Sequence, residues 1–363
     1  MLEENNNLEF NEEEQKQEEN PVFVENTYSY INEEYIKKRD IRKVASIVGI
    51  PALCIWAIGN LWSYLYIYIT TGVVGMSFND AVKLSENPAI QQILQIILSC
   101  LMFLLPFSIA AKCAGVRIDK TILFEKEKKS TFLPFILFGI GFCSFSNIAI
   151  SYAERIFEIF GVDYDVDFGE NPTGIFGFLL TFIATAIVPA LVEEFACRGI
   201  VLGLLKKHGE GFAIIASAVI FGIMHGNFEQ IPFAVFVGLI LGYIYVKTKN
   251  IWSCVIVHGV NNAISVIFNY LQNVMTVDMQ NVLYISYLIA SLLAAVVGVL
   301  LLAKNNDVYT INKHEDIITE KEKYKCFFTS WAIIVFIILN FIDAMKYFDF
   351  TSLFYSIMES AGV

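Results

Sequence analysis

The chain has 363 residues, 56% of them hydrophobic and 17% charged, with a mean hydropathy of +0.58. That is too apolar for a soluble domain, and runs of roughly 18 or more apolar residues recur, each long enough to cross a hydrocarbon core of about 30 Å. The net charge of −11 is local: residues 1–36 hold eleven glutamates against the single base Lys16, so the rest is near neutral and nothing points to a nucleic-acid or acidic partner. Seven scattered cysteines without a CxxC pair exclude a disulfide framework.

Residues 1–43 are expected to form an acidic, disordered cytoplasmic tail, polar throughout and without a cleavable signal peptide. Lys37, Lys38, Arg39, Arg42 and Lys43 then precede the first apolar run, 45–69, which places the N-terminus in the cytoplasm by the positive-inside rule. The second run, 89–111, is followed by a basic loop reaching Lys129, and the third is 131–152. The next loop carries Asp163, Asp165, Asp167 and Glu170, which suits the outside; it lacks the spacing of a calcium loop and reads as solvated. Further runs cover 174–205, 212–226, 231–246, 251–271 and 281–303. A charged cytoplasmic loop, 306–327, leads to an extra span at about 328–345 within the C-terminal stretch 328–363. The fold class is therefore all-α: a polytopic transmembrane bundle of eight or nine spans, with its membrane core at 44–305 and no internal repeat.

Ionisable residues inside a span are costly and mark candidate sites. They fall in three places: Glu193, Glu194 and Arg198 just after Pro189; His225 after Phe221; and His258 with Asn261 and Asn262. At a helical rise of about 1.5 Å per residue, Glu193, His225 and His258 lie about 18, 20 and 10 Å from the cytoplasmic ends of their spans. Glu194 and Arg198 are i,i+4 and can pair, while Glu193 points about 100° away; His258 and Asn262 share one face. A carboxylate beside an imidazole can polarise water for attack on an amide, and His and Asn donors can stabilise an oxyanion. Glu193, His225 and His258 could equally hold Zn²⁺ with an open position. Both chemistries stay open; no other cofactor is indicated.

EExxxR, FxxxH and HxxxN in this order resemble the CAAX protease and bacteriocin-processing family of membrane peptidases (CPBP, also called Abi), over about residues 130–305. The resemblance implies an intramembrane endopeptidase, metallo- or glutamate-type, in a bacterial plasma membrane, acting on a membrane-associated peptide or protein. It implies that Glu193 and His225 activate water, that His258 and Asn262 form the oxyanion site, and that Glu194 and Arg198 support the helix. The acidic tail and the extra C-terminal span are outside the family core.

Packing offers a plainer account of each group. The Glu–Arg pair could lock helices, and His258 and Asn262 could be interhelical glue. One packing account would then have to cover all of these polar groups at similar depth. A silent scaffold or immunity protein of the same fold is the alternative function; a proton-coupled transporter would predict repeat symmetry, which is not found. Gly222, Gly226, Gly238 and Gly242 read as close helix packing, the last two as a small-xxx-small pair.

Overall fold

A computed structural model describes residues 21–125, 129–159, 163–164, 172–304, 310–311, 316–349 and 358. The chain folds as α1 (Pro21–Tyr68), α2 (Phe78–Ser85), α3 (Pro88–Cys113), α4 (Ile118–Thr121), α5 (Lys129–Ile159), α6 (Gly174–Thr181), α7 (Val188–Glu194) and α8 (Gly203–Leu205). It continues with α9 (Glu210–Ile223), α10 (Gln230–Thr248), α11 (Ile251–Gln272), α12 (Val277–Leu302), α13 (Glu320–Phe328) and α14 (Trp331–Met345). Two two-residue strands, Asp163–Tyr164 and Phe348–Asp349, pair antiparallel. The protein is an all-α membrane bundle, as expected. Among the described residues six helices are long and apolar enough to cross, seven if α13 and α14, bent by 68°, are taken together, so the expected count of eight or nine spans is not confirmed. Two of the expected spans fall short among the described residues: α9, at 14 residues, and the stretch Thr131–Ser146 of α5.

The span expected at 174–205 is one composite helix. Between α6 and α7 the chain takes a π-helical turn at Phe182–Ile187, and between α7 and α8 another at Phe195–Leu202. Such turns are rare and often accompany functional sites. Gly209, at φ +124°, then breaks the helix and lets α9 turn back.

Lipid tails are as apolar as leucine, so helices in a bilayer associate through close contact at small residues. At Gly238 an added Cβ would come within 2.9 Å of the Ala218 Cα, which sets α10 directly on α9, and Gly242 packs against Ile214 and Leu202. At Gly141 an added Cβ would lie 2.5 Å from the Ala295 backbone nitrogen, which brings α5 against α12.

Residues 21–43, expected as disordered tail, are instead helical and continuous with the first span. The reason is tertiary. Ile41, Val44, Ala45 and Val48 form a buried stripe at helical spacing, on a helix that packs on α13 and α14. The basic residues find acids: Lys37 pairs with Asp316, Lys38 with Glu34 and, at 2.7 Å, with Glu322, and Asp40 with Lys207. The loop expected at 306–327 accordingly contains α13. Residues 1–20 and the acids Asp165, Asp167 and Glu170 lie outside the described residues.

Lys323 is the buried centre of this contact, 0% exposed, donating to the His208 carbonyl at 2.7 Å and to Glu320 at 2.8 Å, with Asp316 at 3.4 Å. Burial alone would raise the Asp316 carboxyl, but the Lys37 and Lys323 ammonium groups together hold it below its ordinary value. Asp316→Asn leaves the Lys323 charge short of a partner, and the expected cost is about 3 kcal/mol. The contribution is present at neutral pH and is lost as pH falls through the lowered value. A reduced unfolding temperature in detergent checks this; an unchanged one at neutral pH contradicts it.

Candidate active site

Pro189 has no N–H to offer the Thr185 carbonyl four residues before it. That carbonyl instead accepts the Asn262 side-chain amide at 3.2 Å, so the proline fixes where α11 meets this helix. Glu193 and Glu194 end α7, and the π-helical turn that follows carries Arg198. Glu194 is 0% exposed, and its Oε1 accepts from Arg198 Nη1 at 2.9 Å and from His258 Nδ1 at 2.8 Å. Arg198 donates its other terminal nitrogen to the Gly238 carbonyl at 3.2 Å and stacks 4.7 Å over the Phe221 ring. One carboxylate thus joins the composite helix to α11, and the arginine joins both to α10.

Among the described residues, Glu194 Oε2 and Arg198 Nε are buried without a hydrogen-bond partner. A buried ion pair left partly unsatisfied is a poor stability device. What it does achieve is orientation: a carboxylate oxygen only accepts, so His258 Nδ1 carries the proton and Nε2 is turned elsewhere. That nitrogen lies 3.8 Å from Glu193 Oε2, too far for a hydrogen bond.

His225 stands just beyond the end of α9, where the expected span to 226 is cut short by Gly226 at φ +66°. The His225 N–H bonds the Gly222 carbonyl, and the imidazole Nδ1 takes the Phe221 carbonyl at 2.9 Å. A carbonyl accepts only, so Nδ1 donates and neutral His225 presents Nε2 as its basic atom. The Phe221 ring sits edge-on to both His225 and His258, with centroids 5.1 and 5.8 Å away.

Glu193, His225, His258 and Asn262 line one cavity of about 330 Å³ with Thr185, Glu229, Gln230, Asn261 and Ser265, backed by Phe221, Phe233, Ala234 and Val237. Glu194 and Arg198 lie behind the wall. The i,i+4 pairing of Glu194 with Arg198 and the separation of Glu193 are as the spacing predicts. Glu193, His225 and His258 offer the right donor types for zinc. Among the described residues, however, no three His, Cys, Asp or Glu are placed to hold a metal ion together, so this arrangement does not fit a three-ligand centre. No step below is routed through a metal.

Sequence reasoning missed Thr185, Glu229, Gln230 and Ser265, and gave Asn261 no role. Part of the signal was present: Asn227-Phe228-Glu229-Gln230 has the spacing of a helix cap before an apolar run.

Residues 175–264, the segment holding all three motifs, match the family described as Type II CAAX prenyl endopeptidase Rce1-like. Over 100 residues, 26% of this chain, the sequence is 33% identical to Bacillus subtilis YdiL, whose own assignment as a membrane peptidase is provisional. Over 154 residues, 40% of this chain, it is 28% identical to the membrane-embedded CAAX protease MroQ of Staphylococcus aureus. The chain spans 41% and 62% of the length of these two relatives. No solved structure matches. The resemblance to CAAX-type membrane peptidases drawn from the three motifs is borne out over this segment.

Proposed function

We propose that this chain, an all-α membrane protein with an Rce1-like segment at 175–264, is an intramembrane endopeptidase that hydrolyses a membrane-associated peptide with a Glu/His-activated water. The carrying observation is the shared cavity: Glu193, His225, His258 and Asn262, drawn from three helical segments, face one space while Glu194 and Arg198 stay behind it. The basic ends of the spans would lie in the cytoplasm, with substrate entering from the bilayer.

In this reading water hydrogen-bonds to His225 Nε2 and gives a proton to Glu193 as its oxygen attacks the carbonyl carbon. His258, whose Nδ1–H is held by the Glu194 carboxylate, would donate at the developing oxyanion only as the imidazolium, with Nε2–H as the donor. Asn262 spends one amide N–H on Thr185 and offers the second. When the tetrahedral intermediate collapses, the C–N bond breaks and Glu193 returns its proton to the leaving nitrogen, so acid and base are regenerated. Asn262→Ala is expected to slow turnover by about 10²–10³ with little change in substrate affinity. Equal kcat for this variant and wild type would remove it from the oxyanion site.

The test is cleavage of a pooled peptide library, prenylated C-terminal peptides included, by purified protein in nanodiscs with and without a zinc chelator. Cleavage insensitive to chelator supports the direct water mechanism; loss restored by added zinc points to a metal enzyme. No cleavage by folded wild type favours the silent scaffold.

A further inference from the structure

The turn between α9 and α10 contains a side-chain arrangement that the motif residues do not explain. Asn227, 4% exposed, donates Nδ2 to the His225 carbonyl at 3.0 Å and accepts the Gln230 backbone N–H on Oδ1 at 2.9 Å. One partner can only accept and the other only donate, so the Asn227 amide has a single satisfied orientation. Nδ2 also donates to Gln230 Oε1 at 3.0 Å. The Gln230 amide is therefore oriented in turn: its oxygen faces Asn227, and its NH₂ group, with two donors, is directed away from it. Gln230 lines the same cavity as Glu193, His225 and His258.

We infer that Gln230 is a substrate-binding residue whose Nε2 holds a backbone carbonyl oxygen of the bound peptide, and that Asn227 is the positioning residue that sets it. This deepens, and rests on, the peptidase reading. Because Asn227 also holds the His225 carbonyl, one buried side chain aligns the peptide-holding donor with the water-activating imidazole. The ligand is an internal peptide carbonyl, not a free C-terminal carboxylate. The Gln230 amide is a neutral donor suited to a neutral carbonyl, and Glu193 lines the same cavity, where a free carboxylate beside it would be repelled. The chemistry at this subsite is thus that of an endopeptidase.

The experiment uses the library peptide that wild type cleaves fastest, with its KM and kcat, and its Kd on the slow Glu193→Gln background. Loss of one neutral hydrogen bond predicts that Gln230→Ala raises KM and Kd about tenfold while kcat changes less than about threefold. Gln230→Glu, which keeps the shape and the acceptor but replaces the donors with a charged oxygen, is expected to weaken binding at least as much. Asn227→Ala is expected to raise KM similarly and also to lower kcat through His225. The double variant Gln230→Ala/Asn227→Ala should bind no more weakly than Gln230→Ala alone. Unchanged KM and Kd for both Gln230 variants, in protein whose parent turns over, overturns the inference and leaves the peptidase reading standing. So does a loss confined to kcat. If wild type cleaves no library peptide and the Glu193→Gln protein binds none, both fall together.

Discussion

Glu193→Gln is expected to lower peptide turnover by about 10³ or more, the range of a general base removed from its reaction, while the protein folds and inserts as wild type does. The substitution keeps the side chain's size and removes its charge and basicity. Its neighbourhood tolerates that change: Glu193 is partly exposed to the cavity, and His258 Nε2, its nearest charged-type partner, is 3.8 Å away. No buried ion pair is broken, so unfolding in detergent should be nearly unaltered. Turnover within about tenfold of wild type would remove Glu193 from the chemistry.

Arg198→Met is expected to fail differently. It retains much of the apolar stem against Phe221 but leaves the fully buried Glu194 with His258 as its single remaining donor. Breaking a buried pair from one side costs about 3–5 kcal/mol, so the unfolding midpoint should fall clearly. Turnover should fall as well, because the carboxylate that orients the His258 ring is itself no longer held. Arg198→Lys should rescue poorly, since an ammonium cannot reproduce the planar fork that reaches both Glu194 and the Gly238 carbonyl. A stable, active Arg198→Met protein would mean that the buried network orients nothing.

These contrasting expectations for adjacent glutamates were already legible in the sequence, because helical spacing alone separates Glu193 from Glu194 and aligns Glu194 with Arg198. The helix that bears His258 and the one that ends just before His225 are legible as apolar runs. What spacing could not give was register-dependent detail. The π-helical turns on either side of α7 shift backbone bonds without a distinctive composition, and Asn262 reaches the Thr185 carbonyl, which Pro189 has no N–H to serve. The turn after α9 was read as more helix, since Gly226 in an apolar run looks like packing until its positive φ is known. Asn227 and Gln230 fall between the expected runs 212–226 and 231–246, where an uncharged amide in a turn carries no signal of its own. The acidic composition before residue 36 likewise masked a helix whose order comes from distant partners, Asp316 and Glu322, and from a stripe buried on α13 and α14.

The central claim is that Glu193 and His225 act together on one water molecule. A double-mutant cycle in kcat/KM tests it most directly, comparing wild type, Glu193→Gln, His225→Ala and the combination in nanodiscs on one cleaved peptide. Groups that act as a unit lose their effect together. The account predicts that each single variant loses about 10³ or more and that the double variant falls little further. Independent, multiplying losses, or substantial turnover in either single variant, would contradict it.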